Sequence, residues 1–177
     1  MPKTPGVRFP RVEIERIADL VIAAVRPFVS KIYYAGSFRR GLPDSGDVDV
    51  LCIPTDSKSA SSALAALCDG GRLESGSGEG LDIGDVQGVP VNLFYTSSET
   101  WGSAHLYTTG SKEYNISTRM IAKRRGLKLT QAGVFTRSGR LVTSGPTEAD
   151  VCRAIGIPWL PPEQRTGSAF RPGSRDE

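Results

Sequence analysis

The segment Ser45-Gly46-Asp47-Val48-Asp49-Val50-Leu51-Cys52-Ile53 constrains the fold more than any other. Its β-rich alternation predicts a strand over 48–53, with one face apolar and the other carrying two acids. Side chains at i and i+2 leave a strand on the same side, so Asp47 and Asp49 project together. Two carboxylates held that close repel each other unless a cation lies between them. Hard oxygen donors select Mg2+ or Mn2+ over zinc. A D-x-D alone is a weak signal, since two solvated acids on an edge strand look the same. Here it follows Gly36-Ser37-Phe38-Arg39-Arg40-Gly41, a run that starts ten residues ahead of Gly46, and that combination is far more specific. A Gly-Ser turn at Gly36 and Ser37 offers backbone N–H groups to a phosphate, with Arg40 in reach as a charge-assisted donor.

Several chemistries fall away. Cys52, Cys68 and Cys152 have no C-x-x-C or metal-knuckle spacing, and His105 is the sole histidine, which argues against zinc and against Ser-His-Asp or Cys-His mechanisms. The three cysteines read as small apolar fillers. His105 reads as a hydrogen-bonded surface residue, and Trp101 and Trp159 as core or subdomain-interface residues. No apolar run reaches the roughly 18 residues of a membrane span, and Met1-Pro2-Lys3 does not open a signal peptide. An intracellular protein without membrane partners is therefore expected, cytoplasmic, nucleoid-associated or viral.

Charge is divided along the chain. Residues 1–100 carry 10 Lys/Arg and 13 Asp/Glu, whereas residues 101–177 carry 12 and 6. Between Arg119 and Arg140 there are seven basic residues and no acidic one. Such a stretch suits a polyanion, although a solvated helix face has the same composition.

Periodicity places the other elements. Ile14, Ile17, Ala18, Val21, Ile22, Val25 and Val29 recur at helical steps over 11–29, with Pro27 near the end. A strand is expected at 31–35, and a serine-capped helix at 57–68 packed through Leu64 and Leu67. A Gly/Ser-rich loop follows at 69–80, then strands at 81–86 and 89–95 joined at Gln87-Gly88. Ser111 is a plausible N-cap for a helix with Glu113 in its first turn and Lys123, Arg124 and Arg125 in its last, before Gly126. Val134-Phe135 and Leu141-Val142 flank a hairpin turn at Ser138-Gly139. Thr147 with Asp150 reads as a capping box opening a helix to Ile155. The class is α+β.

The G-S-x-x-R-G and G-D-x-D runs resemble the nucleotidyltransferase superfamily that contains DNA polymerase β. Tyr107-Thr108-Thr109-Gly110-Ser111, with Asn115 and Arg119 beyond, is similar to the Y-F-T-G-S…N…R segment of the family X DNA polymerases. Pro158-Trp159-Leu160-Pro161-Pro162-Glu163-Gln164-Arg165 is similar to that family's C-terminal signature. The resemblance implies a nucleotidyltransferase palm over 1–105, a mixed sheet with flanking helices. It implies a small C-terminal α/β nucleotide- and template-binding subdomain over 106–165, with 166–177 as a disordered tail. This would be a minimal form lacking the lyase domain.

The expected activity is DNA-directed DNA polymerisation, adding dNMP to a primer 3′-hydroxyl with two Mg2+ (or Mn2+) ions, in gap-filling repair. The expected partners are dNTP and primer-template or gapped DNA, with the chain a monomer. By resemblance, Asp47 and Asp49 hold both metals, and Ser37 and Arg40 touch the nucleotide phosphates. Gly36 and Gly46 let the backbone approach, and Tyr107, Thr108 and Gly110 lie along the sugar. Asn115 would face the incoming base and Arg119 the template strand, while Lys123, Arg124, Arg125 and Lys128 track the DNA backbone.

Two positions depart from the pattern. The family's third metal carboxylate lies on a later strand, where this chain has Val91-Asn92-Leu93-Phe94. An amide brings no charge and takes no proton, so Asn92 is expected to impair activation of the primer hydroxyl and to spare nucleotide binding. A slow enzyme, a binding-only protein and an exchanged aspartate all stay open, as does compensation by Asp82 or Asp85. The second departure is Thr108, where the family more often has Phe; the smaller side chain is expected to loosen the turn and relax sugar selection. A nucleotidyltransferase acting on RNA or on a small acceptor such as an aminoglycoside is the other enzyme reading.

Overall fold

The computed structural model describes residues 6–74, 76, 78 and 80–170. The chain divides into two compact units, residues 1–96 and 97–177, so residues 97–105 go with the second unit rather than with the palm expected over 1–105.

In the first unit a two-residue strand β1 (Phe9–Pro10) leads into helix α1 (Arg11–Val25). Ile14, Ile17, Ala18, Val21 and Val25 are buried, the stripe that helical periodicity predicts. Pro27 lies in a 3-10 turn at 26–28, having no N–H to continue the α-helix. Strand β2 (Val29–Tyr34), short helix α2 (Gly36–Arg39), strand β3 (Asp44–Ser45) and strand β4 (Val48–Pro54) follow. Helix α3 (Ser57–Leu67) precedes strands β5 (Leu81–Val86) and β6 (Val89–Tyr95). The cap of α3 is Asp56, not a serine: its carboxylate accepts from the Ser59 N–H at 3.0 Å and from the Ser59 hydroxyl at 2.6 Å. An ionised oxygen at a helix N-terminus gains from the dipole as well as from the bond.

The main sheet has the order β2-β4-β6-β5, with β4 and β6 parallel and the other pairs antiparallel. Val48, Val50, Cys52, Val91 and Leu93 belong to one buried cluster with the apolar faces of α1 and α3. The opposite face of the sheet carries Asp49 and Asn92. That mixed sheet with helices on one side is the expected α+β architecture. A separate pair, β1 with β3, lays the N-terminal segment along the residues that precede Asp47.

The second unit contains helix α4 (Trp101–Thr109), helix α5 (Lys112–Arg124), strands β7 (Leu127–Thr130), β8 (Gly133–Thr136) and β9 (Leu141–Thr143), and helix α6 (Glu148–Ile155). Its core joins Leu106, Tyr114, Ala122, Val134, Val151, Cys152 and Ile155. The capping predictions hold: the Ser111 hydroxyl accepts from the Tyr114 N–H, and Thr147 and Asp150 form a reciprocal capping box. Periodicity does not reveal α4, because residues 101–106 are all buried and a helix covered on every side has no polar stripe. Gly102 allows that burial, since a Cβ there would stand 2.0 Å from the Thr147 carbonyl carbon.

Lys128 lies on strand β7, where Leu127 and Leu129 pack against the core. Two further expectations are corrected. His105 is buried, 6% exposed, with its ring 5.2 Å from that of Trp101. The expected tail begins later than residue 166: Ala169 and Phe170 pack against the core, with the Phe170 ring 5.4 Å from that of Tyr114. The rest of that segment, 171–177, lies outside the described residues. The cysteines are buried free thiols, with burial pushing Cys52 up to about 12 and Cys152 up to about 11.

Candidate active site

Parallel pairing of β4 with β6 sets Asp49 directly beside Asn92. The Asn92 amide nitrogen donates to Asp49 Oδ1 at 2.8 Å and to Asp47 Oδ2 at 3.3 Å. Residues separated by more than forty positions thus converge, and both acids reach one point in space. Asn92 itself is only 9% exposed. The amide occupies the position that mutual repulsion of the two acids reserves for a positive group.

The loop before β4 is fitted to the acids. Gly36 has φ +58, and a Cβ on it would stand 2.1 Å from Asp49 Oδ2. No other residue type can occupy that position without moving the carboxylate. The Ser37 hydroxyl donates to the Ser45 hydroxyl, which in turn donates to the Asp47 carbonyl at 2.8 Å and accepts from the Asp47 N–H at 3.3 Å. Ser45, 3% exposed, therefore ties the loop to the first acid. Sequence reasoning gave it no role, although its place beside Gly46 was the available signal. Arg40 caps α2, donating its N–H to the Gly36 carbonyl at 3.3 Å. A Cβ on Gly46 would meet the Val7 carbonyl oxygen at 3.7 Å, an ordinary van der Waals contact, so among the described residues no close approach demands glycine there.

Neither alternative acid joins the cluster. Asp82 registers with Leu93, which sends its side chain to the sheet face opposite Asn92. There it is fully buried, accepting from the Gly78 N–H at 3.0 Å and from the Tyr95 hydroxyl at 2.6 Å. Asp85 shares the face of Asn92 but registers with Pro90, about 7 Å further along the ladder. Burial, and then the hydrogen-bonded carboxyl of Glu74, hold Asp85 above the usual carboxylate range. Among the described residues no three His, Cys, Asp or Glu side chains are grouped as a metal site. The donor set that does fit a hard cation is Asp47, Asp49 and the oxygen of Asn92, once that amide is turned end for end.

In the second unit, Tyr107, Asn115 and Arg119 form one cluster. The Asn115 amide donates to the Tyr107 carbonyl at 2.7 Å, and Arg119 Nε donates to the Asn115 carbonyl at 3.1 Å. The Arg119 guanidinium carbon lies 6.0 Å from the Tyr107 ring centroid. With Leu106, Thr118 and Leu129 they border a small cleft. Thr108 donates its hydroxyl to the Ala104 carbonyl at 2.8 Å, which ties its side chain to the preceding turn of α4. Gly110 ends α4, and the Gly110–Ser111 peptide is cis. Lys123, Arg124 and Lys128 are exposed. Arg125 is exposed as well, and its guanidinium also donates to the Ile155 carbonyl at the end of α6.

Behind this cluster, Arg165 and Glu148 form a buried bidentate ion pair, at 2.9 and 2.7 Å. The Trp159 indole N–H donates to Glu148 at 3.0 Å, although the residue is 47% exposed and so belongs to no buried core.

Comparison with known proteins agrees with these groupings. A family model described as the DNA polymerase beta palm matches residues 8–72, and one described as the DNA polymerase beta thumb matches residues 104–166. Neither stretch includes residue 92. DNA polymerase lambda of Rattus norvegicus is 28% identical across 89% of this chain and 33% of its own length. The DNA polymerase/3'-5' exonuclease PolX of Bacillus subtilis is 33% identical across 42% of this chain and 13% of its own length. DNA polymerase IV of Saccharomyces cerevisiae is 29% identical across 42% and 12%. The chain spans a third or less of the curated relatives it matches.

Proposed function

This chain belongs to the family X DNA polymerases, and we propose that it is a DNA-directed DNA polymerase slowed by Asn92. The proposed reaction adds dNMP to a primer 3′-hydroxyl with two Mg2+ or Mn2+ ions, in filling gaps during repair. The observation that carries the reading is the convergence of Asp47, Asp49 and Asn92, with Gly36 packed against one acid and Ser37 linked through Ser45 to the other.

Asp47 and Asp49 hold the cations. What bound cations supply is a lowered pKa for the attacking hydroxyl and neutralisation of charge on the phosphoryl group. Ser37 and Arg40 receive the nucleotide phosphates, with Gly36 and Gly46 admitting the backbone close to them. Tyr107, Thr108 and Gly110 line the sugar, Asn115 the base, and Arg119 the template strand. Lys123, Arg124, Arg125 and Lys128 contact DNA phosphates in a salt-dependent, sequence-independent way.

Asn92 slows the reaction for two reasons. To offer its oxygen it must give up two hydrogen bonds to carboxylates, each worth about 1.5–3 kcal/mol. Once turned, it still cannot accept the proton that leaves the primer hydroxyl. The reading is tested by primer extension on gapped DNA in Mg2+ and in Mn2+, with dNTP binding measured separately. Asn92→Asp should raise the rate about a hundredfold or more, within the range of a general acid–base contribution. Equal rates for both forms would defeat it.

A second reading has its own support in the same geometry: an amide satisfying both acids also suits a nucleotide-binding protein without turnover. Tight dNTP binding with no extension after Asn92→Asp would favour it. Labelled dNTP offered with gapped DNA and with single-stranded RNA separates the polymerase from a nucleotidyltransferase acting on RNA.

A further inference from the structure

Arg11 is the first residue of α1, yet most of its polar contacts are made to the loop that carries the proposed phosphate-binding groups. Its backbone N–H donates to the Pro43 carbonyl at 2.8 Å. Its guanidinium Nη1 donates to the Phe38 carbonyl at 3.0 Å and to the Leu42 carbonyl at 3.3 Å. The same guanidinium lies 4.0 Å from the centroid of the Phe38 ring, which packs 4.8 Å from that of Tyr34. One side chain thus collects carbonyls from the end of α2 and from the turn after it, while its own backbone holds a third. Just before it, Phe9 and Pro10 pair with Ser45 and Asp44. Arg8 adds an exposed ion pair to Asp44.

We propose that Arg11 is a positioning residue for the incoming nucleotide, fixing the connection between Ser37–Arg40 and Asp47–Asp49. The inference rests on the polymerase reading for what the loop binds, but not for the clamp itself. Ser37 reaches Asp47 only through Ser45, and Ser45 is placed by the strand pairing that Arg11 anchors. A carbonyl-rich turn is poorly suited to stand beside a triphosphate, because its dipoles aim negative ends outward. A guanidinium set among those carbonyls satisfies them and adds positive charge, while its flat face packs on the Phe38 ring in a way that a lysine ammonium cannot reproduce.

Two measurements on the full-length chain test this. Amide hydrogen exchange is followed over residues 36–47 in Arg11→Met, Arg11→Lys and, as a control on the same helix, Arg16→Ala, which removes an exposed pair to Glu13. Arg11→Met should speed exchange there about tenfold or more, the loss of one charge-assisted hydrogen bond. Arg11→Lys should recover part of that, and Arg16→Ala should change nothing. Equilibrium binding of dCTP with Mg2+ should weaken by a similar factor in Arg11→Met, while primer-template DNA affinity stays at the parent value. Unchanged exchange over 36–47 in a folded Arg11 variant overturns the clamp. Faster exchange with unchanged dCTP affinity overturns the positioning role. A parent chain that binds no dCTP refutes the polymerase reading, leaving the exchange result to decide the clamp. If Arg11→Met does not fold, Arg11→Lys carries both measurements.

Discussion

Removing the Glu148 carboxylate should cost the second unit more than any other single change to a polar side chain. Arg165 is 1% exposed, and its guanidinium bonds to both Glu148 oxygens and, through Nε, to the Leu160 carbonyl at 2.9 Å. Glu148→Leu would leave a cation in the interior with one carbonyl as partner. Breaking a buried pair from one side costs about 3–5 kcal/mol. In urea, with slopes of about 1–3 kcal/mol/M, a loss of that size moves the midpoint by at least about 1 M. Both tryptophans, Trp101 and Trp159, lie in residues 97–177, so intrinsic fluorescence reports this unit. Arg165→Met should be equally damaging. The double variant should recover most of the loss, because an apolar pair of similar volume asks for no charge compensation. A residual deficit of about 1 kcal/mol is expected from the Leu160 carbonyl and the Trp159 indole, which lose partners but lie near solvent. The two single losses together then exceed the loss in the double by about 5 kcal/mol or more, which is the coupling energy. Singles that each cost under about 1 kcal/mol, or a double equal to their sum, would refute the argument that burial makes the pair interdependent.

Other outcomes follow from single groups. Among the described residues the buried Tyr114 hydroxyl has no hydrogen-bond partner, so Tyr114→Phe should be neutral or stabilise the unit by about 1 kcal/mol in the same urea experiment. A loss instead would mean that the hydroxyl has a partner. Asp85 has its folded-state pKa raised, so the folded state binds a proton more readily than the unfolded chain does. Its contribution is fully present below the ordinary carboxylate pKa and disappears as pH rises through the folded value. Asp85→Asn should flatten that part of the pH–stability curve, measured by circular dichroism, and identical curves would contradict the assignment.

Recognition from sequence worked where the governing interactions are short in range. The strand at 48–54, its apolar side and the placing of Asp49 on the opposite side follow from a period of two. The ends of α5 and α6 follow from caps that reach only three residues. The same local signal misassigned the α3 cap by one residue, because Asp56 and Ser57 are both competent and only the backbone turn selects between them. Helix α4 escaped altogether, as its burial on all sides erases the pattern that marks a helix. His105 went to the interior with it.

Among the basic residues 119–140, composition could not separate Arg125 from Lys123 and Arg124. Only the packing of α6 near the end of α5 gives Arg125 a buried carbonyl to bind. Likewise Asp49 lies on β4, but Asp47 sits in the bend just before it and is held there by Ser45, whereas the adjacency of Asn92 depends on β4 and β6 lying parallel, and the exclusion of Asp82 on which face of β5 it occupies. Side-chain chemistry and short-range periodicity are written into the chain. Which distant group completes a cluster is decided by strand register, where a slip of one residue would exchange Asn92 for an apolar neighbour.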